Sequence, residues 1–158
     1  MADMTPLPKR PAYLAIDPGD TSGWATFDWQ GNLIGMGQVK EADFVEKFTD
    51  LLTSDLQHVI IEDYVLFQHK AMAQTNARGR KLKTAKMVGQ LEMLANLRDV
   101  PYTKQESGRY RIGAMWGGFE IPSNHSISHQ YVAAAHGIFW LQSNGIRKPG
   151  QFMKESLG

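Results

Sequence analysis

The sequence predicts one α/β domain, in which a mixed sheet of five strands carries helices on both faces. Short apolar runs alternate with longer segments whose apolar residues recur at helical spacing, and this alternation is typical of layered α/β folds. Two of the predicted strands are joined by a short turn and form a hairpin, which makes the sheet mixed rather than parallel. The length of 158 residues is enough to bury one hydrophobic core and too short for two.

The composition narrows the class of protein. Hydrophobic residues make up 42% and charged residues 21% of the chain, which excludes a disordered, collagen-like or coiled-coil protein. The absence of cysteine excludes a disulfide framework, a cysteine-ligated zinc and a thiol nucleophile, and favours a reducing compartment such as the cytoplasm. The longest apolar stretch is too short to span a bilayer, so we expect no membrane association. A net charge of +1 gives no overall reason to expect nucleic-acid binding.

The first residues predict an arm and then a buried strand. Residues 1–11 contain three prolines and no periodicity, so we expect a flexible N-terminal arm followed by a single domain over residues 12–158. Tyr13–Ile16 is a continuous apolar run of the kind found in strands that are covered on both faces. It ends in Asp17–Asp20, whose Asp, Pro and Gly residues favour a turn.

A hairpin, a helix and another buried strand follow. Trp24–Asp28 and Leu33–Val39 are strand-like runs separated by turn residues. In residues 41–53 the apolar side chains recur at helical spacing and predict an amphipathic helix. Val59–Ile61 is a further apolar run, which ends at Glu62.

The second half predicts three more helices and the fifth strand. A long helical segment comes first and is interrupted near Gly79, with apolar residues on one face. Val100–Lys104 is the fifth strand, and Ser107–Trp116 is a short helix that its serine caps. Ser128–Ser143 is the closing helix, which an Asn-Gly pair ends.

Two acidic residues directly follow buried strands. Asp17 and Glu62 lie at the carboxyl ends of the first and fourth strands, and ligand sites in such sheets collect at that edge. Carboxylates that converge there repel each other unless a cation joins them, and Mg²⁺ prefers oxygen ligands of this type. The alternative is that each acid caps a helix or faces water. For the pair in this order, we favour a metal site.

Three segments of the sequence resemble the RuvC-like Holliday junction resolvases of the RNase H-like superfamily. The first is the opening strand with its turn, Leu14–Trp24. The second is Val59–Glu62, followed by a basic helical segment and Met87–Leu91, and the third is Ser128–Gly137 at the start of the closing helix. Many RNase H-like ATPases share the first motif alone, whereas all three in this order are more specific. The similarity runs from about residue 12 to residue 141.

The resemblance implies an RNase H-like fold and a metal-dependent endonuclease that resolves four-way and related branched DNA in recombination and repair. Members of the family are homodimers that use Mg²⁺ or Mn²⁺, and phage-encoded versions are common, which implies the cytoplasm of the host cell. The implied mechanism is phosphodiester hydrolysis with two metal ions about 4 Å apart. On the matching positions, Asp17, Glu62 and His129 would be catalytic residues and metal ligands. Imidazole suits Mn²⁺ better than Mg²⁺.

One position departs from the family pattern. Val132 stands where relatives place a catalytic aspartate, one helical turn after His129, and valine binds no cation. The protein then works with fewer carboxylates, binds junction DNA with weak or no cleavage, or uses another group. His136 is on the same helix face as His129 but about 10 Å along the helix, so we favour a partly buried, hydrogen-bonded histidine over a metal ligand there.

The region after Glu62 is strongly basic. Six cations and no acid lie between His69 and Leu91, which favours a surface that follows DNA phosphates over an ordinary solvated helix face. These cations are Lys70, Arg78, Arg80, Lys81, Lys83 and Lys86. In the relatives an aromatic residue near this point opens the junction centre; Phe67 is a candidate for that role, and a core position is an equal alternative.

Two other activities share parts of these motifs. The Asp17–Gly23 turn also resembles the phosphate loop of sugar kinases and actin-like ATPases, but those proteins need two lobes and 158 residues provide one. Ribonuclease H activity shares the metal site. We therefore expect junction cleavage first, with junction binding without efficient cleavage as the alternative.

Overall fold

A five-stranded mixed sheet forms the centre of the residues that the structure describes. The structure is a computed structural model, and it describes residues 10–63 and 75–152, without the side chains of residues 75–81. The strands are β1 (Tyr13–Asp17), β2 (Thr21–Phe27), β3 (Leu33–Lys40), β4 (His58–Asp63) and β5 (Tyr102–Glu106). Their order across the sheet is β3-β2-β1-β4-β5. β2 pairs antiparallel with β1 and β3, whereas β4 pairs parallel with β1 and β5.

Helices cover both faces of this sheet, which confirms the predicted α/β class. They are α1 (Phe44–Leu51), preceded by a 3-10 turn, α2 (Thr75–Leu97), α3 (Arg109–Gly117) and α4 (His125–Ser143). Apolar residues of α1 and α2 pack with alternate residues of β1 and β4 in one core. α4 packs on the opposite face in a second core, and α3 lies against α4. No helix in the described ranges is long and apolar enough to cross a membrane.

Two predicted local features are wrong. α2 is continuous through Gly79, since a single glycine costs a helix only about 1 kcal/mol and good helix formers surround it. Ser107 does not cap α3, because the residue before that helix is Gly108 and no side chain bonds its first turn. Of the predicted N-terminal arm, residues 10 and 11 are described and both are exposed. The division into an arm and one domain stays a prediction.

The ends of α4 and β5 also differ from the prediction, for local reasons. α4 begins at His125 because the Asn124 side chain accepts a hydrogen bond from the Ser126 amide and caps the helix earlier. β5 begins only at Tyr102, because the Val100 amide still donates to a carbonyl at the end of α2, at 2.9 Å.

A glycine allows α3 to lie close against α4. A Cβ atom on Gly113 would come within 1.8 Å of the Ala135 carbonyl oxygen, far inside van der Waals contact. Any larger residue at this position therefore forces the two helices apart. By contrast, a Cβ atom on Gly89, in the middle of α2, would have no other atom within 4 Å.

Replacing Gly113 with alanine should destabilise the protein, because the new methyl group collides with the backbone of α4. We expect urea denaturation to show a loss of about 1–3 kcal/mol in the free energy of unfolding. Gly89→Ala is the matched control, and it should increase stability by about 0.5–1 kcal/mol because alanine is the better helix former. Equal effects of the two substitutions would contradict the close packing of α3 on α4.

Candidate active site

Five positions lie in one row across the face of the sheet that α4 covers. Ile16 on β1 pairs with Ile61 on β4, so the next residues, Asp17 and Glu62, follow in the same register. The pairing of the remaining strands extends this line of residues to both edges of the sheet. Because side chains alternate between the faces of a strand, positions in register point to the same side. We call these positions the cross-sheet row: Gln38 on β3, Gly23 on β2, Asp17 on β1, Glu62 on β4 and Gln105 on β5.

Asp17 and Glu62 form a buried carboxyl pair at the centre of this row. Their side chains are 14% and 19% exposed, and they lie side by side because β1 and β4 pair in parallel. Burial, and then the Glu62 carboxylate, raise the pKa of Asp17 well above its usual range. Burial alone would raise the pKa of Glu62 too, but the neighbouring His136 and Asp17 side chains lower it on balance. Each of the two carboxyl groups therefore opposes the ionisation of the other when no cation lies between them.

Each acid has a histidine of α4 beside it. His129 Nδ1 lies 3.1 Å from Asp17 Oδ2, and His136 Nε2 lies 3.6 Å from Glu62 Oε2. His129 is 36% exposed, whereas His136 is fully buried. Burial, and then the neighbouring His125, lower the pKa of His129, so its imidazole is neutral near pH 7.

From the helix spacing, we expected His136 to be a partly buried, hydrogen-bonded histidine away from the acids, but it lies next to Glu62. His136 does make a hydrogen bond, to Gln105, as expected. It also lies against the second acid, because the two carboxylates come from neighbouring strands and α4 crosses both. One histidine therefore reaches each acid, although the two rings are about 10 Å apart along the helix.

Gln38 and Gly23, to which the sequence analysis assigned no role, fix the N-terminal part of α4 over the acids. Gln38 Oε1 accepts hydrogen bonds from the amides of His129 at 2.8 Å and Gln130 at 3.3 Å, and Gln38 Nε2 donates to the Ser126 carbonyl at 2.7 Å. A Cβ atom on Gly23 would lie 1.9 Å from the His129 carbonyl oxygen. The missing side chain at Gly23 thus lets the helix approach closely enough for His129 to reach Asp17. Gly23 lies within the first sequence motif, whereas only the strand register could have singled out Gln38.

The donor set around the acids fits a divalent cation. Val132 is partly buried one turn after His129 and supplies no ligand. Within the described ranges, no group of three or more His, Asp and Glu side chains is arranged to hold a metal ion by itself. Two carboxylates with one imidazole nearby nevertheless match Mg²⁺ or Mn²⁺, which fill the rest of their coordination with water and phosphate oxygens. A cation would also relieve the carboxyl pair of its repulsion.

Most of the residues predicted to contact DNA fall where the structure gives no side chains. Lys70 and Phe67 lie outside the described residues. Arg78, Arg80 and Lys81 lie in α2, where only the backbone is described.

Lys83 and Lys86 are the two predicted DNA contacts whose side chains are described. Lys83 Nζ lies 2.9 Å from Glu41 Oε2 and 3.7 Å from Asp20 Oδ1, so acidic neighbours partly compensate its charge. These contacts also join α2 to the turn that follows Asp17. Lys86 is exposed one turn further along the helix.

The arrangement of strands and helices is similar to that of two solved RuvC structures. Comparison with solved structures matches the chain to Thermus thermophilus RuvC in complex with a Holliday junction substrate, with a TM-score of 0.60 and 18% identity over 87% of this chain and 98% of that one. A second Thermus thermophilus RuvC structure matches with a TM-score of 0.60 and 17% identity, over the same shares. The chain has a RuvC-like fold. Comparisons with protein-family models and with curated proteins gave no match.

The RuvC-like fold confirms the recognition made from the three sequence motifs. At these identities the likeness establishes the architecture of the chain. Within this architecture the two acids lie at the carboxyl ends of β1 and β4, which are neighbouring inner strands of the sheet. The roles of Asp17, Glu62 and His129 as catalytic residues and ligands stay predictions.

Asp17→Asn should stabilise this RuvC-like domain when metal is absent. The amide keeps the shape of the side chain but removes a buried charge next to Glu62, and it can donate a hydrogen bond to that carboxylate. We expect the melting temperature in EDTA, measured by calorimetry, to rise by about 2–4 °C per kcal/mol gained. Asp50→Asn, an exposed acid on α1, is the control and should leave it unchanged. A lower melting temperature for Asp17→Asn would contradict repulsion within the carboxyl pair.

Proposed function

We propose that the protein is a metal-dependent endonuclease that resolves four-way junctions and related branched DNA in the cytoplasm. The observation that carries this proposal is the buried Asp17–Glu62 pair with His129 beside it, at the carboxyl edge of a RuvC-like sheet. Carboxylates are concentrated in this way where a cation is to be bound. The matched Thermus structure, which contains a Holliday junction substrate, supports branched DNA as the ligand.

Each residue of the carboxyl pair and its neighbour has a role in this proposal. Asp17 and Glu62 would hold Mg²⁺ or Mn²⁺, two ions per site, with His129 as a further ligand or proton acceptor. The ions would supply an activated water and stabilise the charge on the leaving 3′ oxygen. His129 directs Nδ1 at Asp17, so Nε2 is the nitrogen that takes a proton or binds.

We propose that the basic residues around the start of α2 hold the DNA. Positive side chains neutralise phosphates without regard to base sequence, which suits a protein that recognises the shape of a junction. Phe67 would stack on a base at the junction centre. The phosphate contacts in this proposal are Lys70, Arg78, Arg80, Lys81, Lys83 and Lys86.

The direct test is cleavage of a synthetic four-way junction in Mg²⁺ and in Mn²⁺. Wild-type protein should nick the junction. Asp17→Asn and Glu62→Gln should each lower the cleavage rate by at least about 100-fold, because each removes a charged ligand. Both variants should still bind the junction in a gel-shift assay, and Asp50→Asn should cleave like wild type.

The same assay decides between cleavage and the alternative that Val132 suggests. Junction binding without efficient cleavage is not favoured, since both acids and a neighbouring imidazole are present. A silent wild type and an active Val132→Asp variant would establish that alternative. Full cleavage by either acid variant would overturn the proposal. Cleavage of an RNA–DNA hybrid would reveal ribonuclease H activity, and hydrolysis of ATP would reveal an ATPase.

We further propose that the protein acts as a homodimer through α1 and α2, since symmetric nicks require two related active sites. Val45, Met93 and Leu97 expose 62%, 60% and 74% of their surface on these two helices. Together with Phe44 and Phe48 they line an apolar groove. A continuous exposed apolar surface of this kind is typical of an interface.

Met93→Glu combined with Leu97→Glu should convert a dimer into monomers, because the charges would be buried in the interface. Sedimentation equilibrium measures the change in mass, and paired nicking of the junction should fall to single nicks. Met115→Glu is the control, since Met115 is 68% exposed on α3, outside this groove. A double variant that stays dimeric would exclude this surface.

A further inference from the structure

The side chain of Gln105 is buried and contacts His136 twice. Its amide nitrogen lies 3.0 Å from His136 Nδ1 and 3.0 Å from the backbone carbonyl oxygen of His136. A carbonyl oxygen only accepts hydrogen bonds, so the Gln105 atom between these two groups must be the NH₂ group and not the amide oxygen. The contact with the backbone therefore fixes the orientation of the Gln105 amide.

This orientation fixes the tautomer of His136. The Gln105 NH₂ group has two hydrogens, and it donates one to the carbonyl and the other to Nδ1. His136 Nδ1 is then an acceptor without a proton, and a neutral imidazole must carry its proton on Nε2. That Nε2–H group faces Glu62 Oε2 at 3.6 Å.

Nε2 of His136 has no closer hydrogen-bond partner among the described residues. His136 is fully buried, so bulk water does not reach the group, and an unused buried N–H costs about 1–3 kcal/mol. A charge-assisted hydrogen bond is typically about 2.8 Å long. A movement of less than about 1 Å would therefore bring His136 Nε2 within hydrogen-bonding distance of Glu62 Oε2. The neighbouring carboxylate is the acceptor that this donor requires.

We propose that His136 is a positioning residue, which as its Nε2–H tautomer donates to Glu62 and orients this carboxylate toward Asp17. One oxygen of Glu62 faces His136 on α4 at 3.6 Å, and Asp17 is the neighbour of Glu62 on the adjacent strand β1. His136 is not itself a metal ligand, because its Nε2 electron pair carries the proton. This inference rests on the proposed function, in which Glu62 binds a cation, and it adds a chain of positioning from Gln105 through His136 to Glu62.

The tautomer can be measured without any nuclease assay. In metal-free wild-type protein labelled with ¹⁵N-histidine, long-range proton–nitrogen correlation spectra should show His136 protonated at Nε2 and unprotonated at Nδ1. Gln105→Met keeps the side-chain length but removes the donor, so the resonance should shift toward a mixture of tautomers. An Nδ1-protonated ring in the wild type would overturn the proposal.

The effect on Glu62 is measured by Mn²⁺ binding, followed by electron paramagnetic resonance. His136→Phe keeps an aromatic ring without a donor, and it should weaken Mn²⁺ binding about 10–100-fold, as is usual when a group that orients a ligand is lost. His136→Gln places an amide N–H near the position of Nε2, and it should restore affinity to within about threefold of wild type. His58→Phe is the matched control, because His58 stacks on Trp140 in the same core and lies at the opposite end of β4 from Glu62.

Circular dichroism confirms that each variant is folded before the comparison, and Gln105→Met serves in place of His136→Phe if the latter does not fold. Equal affinities for His136→Phe and wild type, or equal losses for the Phe and Gln variants, would overturn the positioning role. A wild-type protein that binds no Mn²⁺ at Asp17 and Glu62 would instead overturn the proposed function. The tautomer measurement then still decides whether Gln105 fixes His136.

Discussion

The parallel pairing of β1 with β4 is the constraint on which the candidate site depends. Because the two strands run in the same direction and in register, Asp17 and Glu62 end side by side at one edge of the sheet. Two largely buried carboxyls in contact are unfavourable in isolation, and the raised pKa of Asp17 reflects this. The surrounding structure compensates with an imidazole beside each acid. Proteins retain such local instability mainly where it serves a function.

The fold class could be predicted from the sequence because it depends on local patterns. Tyr13–Ile16 and Val59–Ile61 are short continuous apolar runs bounded by polar residues, which is the pattern of strands that are covered on both faces. Asp17 and Glu62 could be singled out for the same reason, since each directly follows one of these strands. The predicted interruption at Gly79 is wrong, because the free-energy cost of one glycine is small compared with the stability of the surrounding 23-residue helix.

The remainder of the site could not be predicted, because it depends on which strands are neighbours and how closely a helix approaches them. Gln38 and Gln105 are ordinary polar residues in the sequence, and they gain significance only from their register with the acids. Gly23 is notable only once the backbone of α4 is placed above it. The contact of His136 with Glu62 likewise requires knowing that α4 crosses both strands. These are tertiary relations between distant parts of the chain.

The position of α4 in the chain has a consequence for biosynthesis. It is the last helix in the described part of the sequence, yet it carries His129 and His136 and contributes apolar residues to one of the two cores. While a nascent chain still lacks it, the acids on β1 and β4 have no imidazole partners and one face of the sheet is bare. The contacts between the two acids and their histidines therefore form only after α4 has been synthesised and has packed on the sheet.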